Sequence, residues 1–456
     1  CFAGYQSSPA TDPIWLNSFG ICTGDCESYL EPAENFVQNG KYTPDYRMPG
    51  YGMFYIVFRL LFNQNSSANM LIILQLFLDI VASYSIGVIA LHLTKQKAAF
   101  YWAFGLYCLS ATISSFNNFF LTESLTASLL VFSAYFLVRH LSGQGPLFLL
   151  ASSMLIVIVY FMRPIMFPMF VMFFFIIFTV SIKSKKLINV LIVIIPFIIL
   201  HGSWVLRNYR VNGKVYLLTE SRYYPDTPKS ILASWEFIST FDDIKAKYFF
   251  PDKSWNNRST PLIDIERVHF PERILTSDFD LSDLEILRDY ARIIVSDTAT
   301  RSVRSHYDSL FVDRIEEFTK SIKREKPFLV YIKTPLVRSL NHIFASSGVR
   351  LLYKNSFSEL ASHEKVIKGF FILTFLISLY GSLGFLLLST LHNEIKPLRF
   401  LSLPLIYAFL VHPVIIGASD PRYLYAFYLV ITLCSSVFYS QIEIPRKLSE
   451  FFKGII

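Results

Sequence analysis

The chain has 456 residues, 53% of them hydrophobic, 16% aromatic and only 17% charged. With a mean hydropathy of +0.43, this excludes an ordinary soluble globular protein and points to a polytopic membrane protein. The formal net charge is +8, yet no basic stripe with interleaved aromatics accompanies it, which argues against a nucleic-acid partner and for cationic cytoplasmic loops.

The chain opens at Cys1 without a methionine, as a lipid-modified cysteine would, or as a fragment lacking its first membrane helix would. Of the five cysteines, Cys1, Cys22, Cys26, Cys108 and Cys434, none forms a Cys-x-x-Cys pair. Cys22 and Cys26 flank Asp25 as ordinary loop thiols or as one local disulfide, and no neighbouring histidine completes a metal set. Asp25, Tyr29 and Ala33 recur every four residues, and Leu30, Phe36 and Val37 supply an apolar side. The spacing predicts an amphipathic interfacial helix with Asp25 as its N-cap and Gly40 as its left-handed terminator. Arg47-Met48-Pro49-Gly50-Tyr51 then redirects the chain, and residues 52–62, too short to cross a bilayer, form an interfacial or re-entrant helix that turns back at Asn63 to Ser67.

Nine apolar runs of spanning length follow, at roughly 69–93, 98–117, 120–138, 146–162, 164–182, 187–206, 367–389, 398–416 and 423–441. Alternate connections carry Lys95 and Lys97, Arg139, Lys183 with Lys185 and Lys186, Lys396 with Arg399, and Arg446 with Lys447 and Lys453. The positive-inside tendency places these in the cytoplasm and the other connections outside.

The expected division is a first extracytoplasmic loop (1–50), a transmembrane bundle (51–206), an extracytoplasmic, mainly helical soluble domain (207–365), three C-terminal spans (366–441) and a basic cytoplasmic tail (442–456). Within the soluble stretch, Ser282-Asp283-Leu284-Glu285 has capping-box spacing ahead of Leu287, Ala291 and Ile294. A second helix covers Tyr307 to Lys326, burying Leu310, Phe311, Ile315, Phe318 and Ile322, and ends at Pro327. Residues 327–344 suit a helix on the membrane surface.

On this topology several charged groups meet at one face: Asp25 and Arg47, Glu123 opening one span, Arg163 and Arg207 ending two others, and Asp420 and Arg422 opening the last. Any single arginine there could be snorkelling; their joint occurrence points to a site. Asp79 within an apolar span reads as a hydrogen-bonded packing residue, and His201 and His412 as core histidines.

In chain order, Gly24-Asp25-x-x-x-Tyr29-x-x-x-Ala33, Gly40-Lys41-Tyr42, Arg47-Met48-Pro49-Gly50-Tyr51, Thr122-Glu123, Met162-Arg163-Pro164, Trp204-x-x-Arg207-Asn208-Tyr209 with Gly213, and Arg422-Tyr423 resemble the GT-C glycosyltransferases. The nearest patterns are those of the bacterial protein O-mannosyltransferase-like and lipid A aminoarabinose transferase-like enzymes. The resemblance covers about residues 20–215 and 400–440; Pro-Gly-Tyr-Gly stands where Pro-Gly-Tyr-Pro is commoner, with Gly52 still allowing a turn. It implies an all-α GT-C-like bundle that moves a sugar from a polyprenyl-phosphate donor to a glycan, lipid or protein acceptor at the extracytoplasmic face, with inversion. The essential first-loop aspartate maps to Asp25. A divalent metal is found in some members of that superfamily, and nothing in these residues requires one.

The chemistry itself needs a base for the acceptor proton, for which Asp25 is the candidate. It also needs cations on the departing phosphate, for which Arg163, Arg207 and Arg422 are candidates. Glu123 would hold an arginine or orient substrate, and Tyr29, Arg47, Tyr209 and Tyr423 complete the expected substrate-binding set. A lipid-linked glycan polymerase or ligase would not need the loop from Asp25 to Tyr51. A transporter would show paired halves and helices broken near the bilayer middle.

Overall fold

The structure, a computed structural model, describes residues 18–22, 25–43, 47–180, 184–218, 229–242, 270–296, 298–344, 357–391, 398, 400–411, 414 and 422–441. Among these the fold is all-α; the only extended pairing is one bridge between Ile21 and Phe119. The chain divides into two compact units: residues 1–220, 347–406 and 422–456, and residues 221–346 with 407–421.

The first unit opens with α1 (Cys26–Asn39), ended by Gly40 at φ 68, a left-handed conformation that a side chain resists. After it come α2 (Gly50–Arg59) and α3 (Gln64–Thr94), with Asn63 accepting from the Ser66 amide as N-cap. The expected turn back at Asn63 to Ser67 is therefore the first turn of α3. This helix is 31 residues long, about 46 Å against the roughly 30 Å of a bilayer's hydrocarbon core.

Next are α4 (Lys97–Cys108), the short α5 (Ala111–Ser114), α6 (Thr122–Leu141), α7 (Pro146–Met162), α8 (Phe167–Val180) and α9 (Lys186–Asn212). The run at 98–117 is thus not one span: α4 stops at Cys108, and Asn117 turns inward to bond Asp79. Among the described residues four helices are long and apolar enough to cross a membrane, Gln64–Thr94, Thr122–Leu141, Lys186–Val211 and Ser362–Thr390; Pro146–Met162 and Pro164–Val180 are apolar but shorter. The chain is accordingly a membrane protein by the length and composition of these helices.

Hydroxyls lock the helix pairs. Between α6 and α7, Ser133 Oγ donates to the Ser152 carbonyl at 2.9 Å and Ser152 returns a bond to the Ser133 carbonyl. Lipid cannot drive two apolar helices together as water would, so small side chains and interhelical hydrogen bonds take that part. The same device joins the last helices, α14 (Ser362–Leu391) and, after the short α15 (Ser402–Ile406) and α16 (Arg422–Tyr425), α17 (Tyr428–Gln441). Ser378 bonds the Tyr428 hydroxyl at 3.0 Å, and Tyr439 donates to the Ile377 carbonyl at 2.8 Å. The run at 398–416 is interrupted: α15 carries Pro404, which lacks a backbone donor, and a π-helical turn follows at Tyr407–Val411.

The second unit contains α10 (Lys229–Ser239), α11 (Leu281–Val295), α12 (Arg301–Glu325) and α13 (Thr334–Phe344), which follows a π-helical turn at Leu329–Lys333. Phe318 of α12 centres its core, stacked on Phe279 at 4.8 Å and tilted against Phe237 at 5.1 Å. Two expectations shift here. The capping box of α11 is Asp280 with Asp283, two residues before Ser282, because Asp280 is the residue with extended backbone that can accept from the first turn. In α12, which starts six residues before Tyr307, Phe311, Ile315, Phe318 and Ile322 are buried while Leu310 is half-buried.

Candidate functional site

The first loop is held at both ends. Cys22 and Cys26 form a disulfide, which settles the open choice between free thiols and a bridge. Ile21 pairs by backbone with the turn leading into α6, its amide donating to Asn118 at 2.7 Å and its carbonyl accepting from Phe120 at 3.2 Å. Asp25 therefore sits inside a small ring fixed to α1 on one side and to residues 118–120 on the other.

Asp25 occupies the N-cap position of α1, but its side chain makes no cap hydrogen bond. It meets Arg47 instead, Nη2 to Oδ1 at 2.7 Å. Arg47 Nε also donates to Ser28 Oγ at 3.1 Å, Ser28 Oγ donates back to the Asp25 carbonyl at 2.6 Å, and the guanidinium lies 5.0 Å from the Tyr29 ring centre. The N-cap role expected for Asp25 is thus replaced by an ion pair that closes the loop over 22 residues.

Behind this pair runs a buried polar line. Tyr29 meets Tyr51 edge to face at 5.7 Å. Tyr51 donates to Gln75 Oε1 at 2.9 Å, and Gln75 Nε2 donates to the Asn117 and Phe119 carbonyls at 2.8 and 3.1 Å. Asn117 in turn donates to Asp79 Oδ2 at 2.7 Å and accepts from Ser124. Burial, reinforced by the neighbouring Glu123 and Tyr29, pushes the Tyr51 phenol well above its ordinary range, which keeps it a neutral donor. Glu123, in the first turn of α6, pairs with Arg163 at 3.0 Å, both side chains nearly buried.

Gly50 explains how α2 comes so near Arg163. A Cβ there would lie 2.5 Å from the Met162 amide nitrogen and 2.6 Å from the Phe161 carbonyl carbon, so only glycine permits the approach. Gly52, expected at a turn, lies inside α2 and faces α1, where a Cβ would meet Ala33 Cβ and the Tyr29 carbonyl at 3.2 Å. The helix needs flatness at that position rather than a bend.

A groove of about 720 Å³ runs along α2 from Pro49 through Met53 to Val57, between the close of α1 (Phe36, Lys41, Tyr42) and the end of α9 (Trp204, Arg207, Arg210). Arg207 donates to the Tyr42 carbonyl and, at 3.0 Å, to Asn208 Oδ1, with its guanidinium 4.9 Å from the Trp204 ring centre. Asn208, fully buried, ties the chain beyond α9 by donating to the Tyr216 and Leu218 carbonyls at 3.1 and 3.2 Å. The groove is apolar along its floor and carries Lys41, Arg207 and Arg210 among its lining residues, which suits an amphiphile with an anionic head.

Asp25, Tyr29 and Arg47 are thus brought together, and Glu123 with Arg163. Arg207 lies at the groove, while Tyr209 is 55% exposed and does not line it. The backbone of Arg422 and Tyr423 begins α16, but their side chains lie outside the described residues, as do His412 and Asp420. His201 stacks on Phe197 at 5.1 Å, as a packed histidine would. Among the described residues no group of three or more His, Cys, Asp and Glu is placed to hold a metal.

Sequence reasoning missed Glu34, buried in α1, which accepts from Arg59 Nε and Nη2 and from the Tyr55 hydroxyl, all at 2.9 Å, and from Gln38 at 2.8 Å. Its signal was two i,i+4 pairs, Glu34 with Gln38 and Tyr55 with Arg59. Comparison of this chain with known protein families, curated proteins and solved structures finds no match.

Proposed function

We propose that this protein is a membrane glycosyltransferase of GT-C type, transferring a sugar from a polyprenyl-phosphate donor to an acceptor at the extracytoplasmic face with inversion. The observation that carries the reading is Asp25: a carboxylate at a helix N-terminus that forgoes capping and is held by Arg47, two residues from the Pro49 end of a groove suited to a lipid phosphate.

In the proposed reaction Asp25 takes the proton of the acceptor hydroxyl or amine as that atom bonds to the anomeric carbon. The bond from that carbon to the phosphate oxygen breaks, and polyprenyl phosphate departs with the electron pair. Arg207, supported by Lys41 and Arg210, stabilises the charge gathering on the phosphate. Arg163, held by Glu123, acts through position, and Arg422 would complete the cationic set. Disulfides persist in oxidising compartments, so the Cys22–Cys26 bridge supports an extracytoplasmic first loop independently of loop charge.

The test is turnover by purified protein in lipid nanodiscs, given a polyprenyl-phosphate sugar and a cell-envelope extract. Release of polyprenyl phosphate is expected, and Asp25→Asn should reduce it by about 100- to 10,000-fold, the usual worth of general-base catalysis. Full turnover in a folded Asp25→Asn protein would remove Asp25 as base. Release of polyprenyl pyrophosphate from pyrophosphate-linked glycans of the extract, with the polyprenyl-phosphate sugar left unused, would instead indicate the polymerase or ligase reaction.

A further inference from the structure

α13 packs with a polar face inward, while the turn before it buries Val330 and exposes Tyr331 and Ile332. The helix buries its polar face: Arg338 is 3% exposed and donates to the Ser239 and Asp242 carbonyls at 2.9 and 3.1 Å, Thr334 donates to the Thr240 carbonyl at 3.1 Å, and Ser339 and His342 are buried beside them. The opposite face bares Leu336 (56%), Leu340 (45%) and Phe344 (49%), one stripe at four-residue spacing, extended by Tyr331 (63%) and Ile332 (54%).

A helix on a soluble domain does the reverse, turning its apolar stripe to the core and its charges to water. Here Thr334 and Arg338 bond the carbonyls at and just beyond the end of α10, and the apolar stripe lies on the face turned away from them. A contiguous exposed apolar patch of this kind marks an interaction surface.

Two further observations choose the occupant. Among the described residues four helices have membrane-crossing length and composition, and one of them, starting at Ser362, begins 18 residues after Phe344, which tethers this stripe to a bilayer. With 11 residues, α13 is about 16 Å long, half the hydrocarbon thickness, and so too short to cross a membrane. Tyr331 and the exposed Lys333 are suited to the headgroup level, where aromatic rings and amines contact lipid phosphates.

We propose that α13 and its preceding turn form a membrane-docking surface, the stripe of Tyr331, Ile332, Leu336, Leu340 and Phe344 seated in the lipid interface and the Arg338 face turned into the protein. The proposal holds whether or not the chain transfers sugar.

Spin labels test it on the full chain in lipid nanodiscs. Leu336→Cys, Leu340→Cys and, as an exposed control on α12, Glu316→Cys are each labelled in a background whose cysteines other than Cys22 and Cys26 are serine. Labels at Leu336 and Leu340 should collide severalfold more with oxygen, which concentrates in lipid, than with a water-soluble nickel chelate, and the control should show the opposite order. Preference for the nickel chelate at both positions would put the stripe in water and overturn the proposal. Protection from both reagents would mean a protein surface covers it, whether a second copy or another chain, and would overturn it equally.

Discussion

Glu34 and Asp25 are carboxylates on the same helix put to opposite uses. Glu34 is saturated: burial alone would raise its carboxyl, but the bonds from Arg59, Gln38 and Tyr55 outweigh that and hold it below the ordinary value of 4.5. Since the folded state binds this proton more weakly than the unfolded chain, Glu34 stabilises the fold above about pH 4.5, and that contribution is lost as pH falls through the lowered folded value. Thermal unfolding from neutral to about pH 3 should show this loss, and Glu34→Gln should flatten the acid limb. The same variant should cost about 3 kcal/mol at neutral pH by stranding the part-buried Arg59 charge. The Asp25–Arg47 pair is more open, at 36% and 24% side-chain exposure, where an ion pair is worth at most about 1 kcal/mol. Asp25→Asn should therefore leave stability nearly unchanged, which separates a loss of turnover from a loss of fold.

At the scale of elements, α2 shows what local pattern can and cannot convey. Its brevity and apolar character were legible, as was the break before it. The reason for its glycines was not, because Gly50 answers to Phe161 and Met162, a contact that no sequence window holds. Gly50→Ala must displace backbone on one side or the other, and a cost of about 1 to 3 kcal/mol should appear in the thermal unfolding of detergent-solubilised protein. Gly52→Ala should cost less, since its nearest neighbour is the Tyr42 hydroxyl, the far end of a side chain able to turn aside. The run at 98–117 misled for a related reason: it carries no charge, but its second half is rich in Ser, Thr and Asn, and α4 ends at Cys108 while Asn117 reaches Asp79 and Gln75 reaches the Asn117 carbonyl. Hydropathy registers the run and not the partners that break it.

For the molecule as a whole, composition conveyed the membrane character, the resemblance implied an all-α bundle, and helical periodicity located α11 and α12 and most of the buried face of α12. The core that joins them was not legible, because Phe237, Phe279 and Phe318 come from three separate segments whose meeting no periodicity encodes. The candidate site divides in the same way. Asp25 and its neighbours were readable as a motif, whereas the Arg47 partner and the groove depend on packing. The proposed orientation makes its own prediction: in intact cells a membrane-impermeant maleimide should label Glu316→Cys directly and Lys95→Cys only after permeabilisation. Labelling in the opposite order would place the first loop in the cytoplasm and end the case for the site.

The Cys22–Cys26 ring adds a consequence in time rather than in space. On the proposed orientation the chain carries two thiols until the first loop has been exported and oxidised, and the turn bearing Asp25 lacks its covalent closure while the Ile21 pairing and the Arg47 ion pair remain. On the proposed orientation, full-length protein still awaiting oxidation is present but immature, and abundance alone overstates how much of it can work. A strain slow to form disulfides would then lose activity before it lost protein.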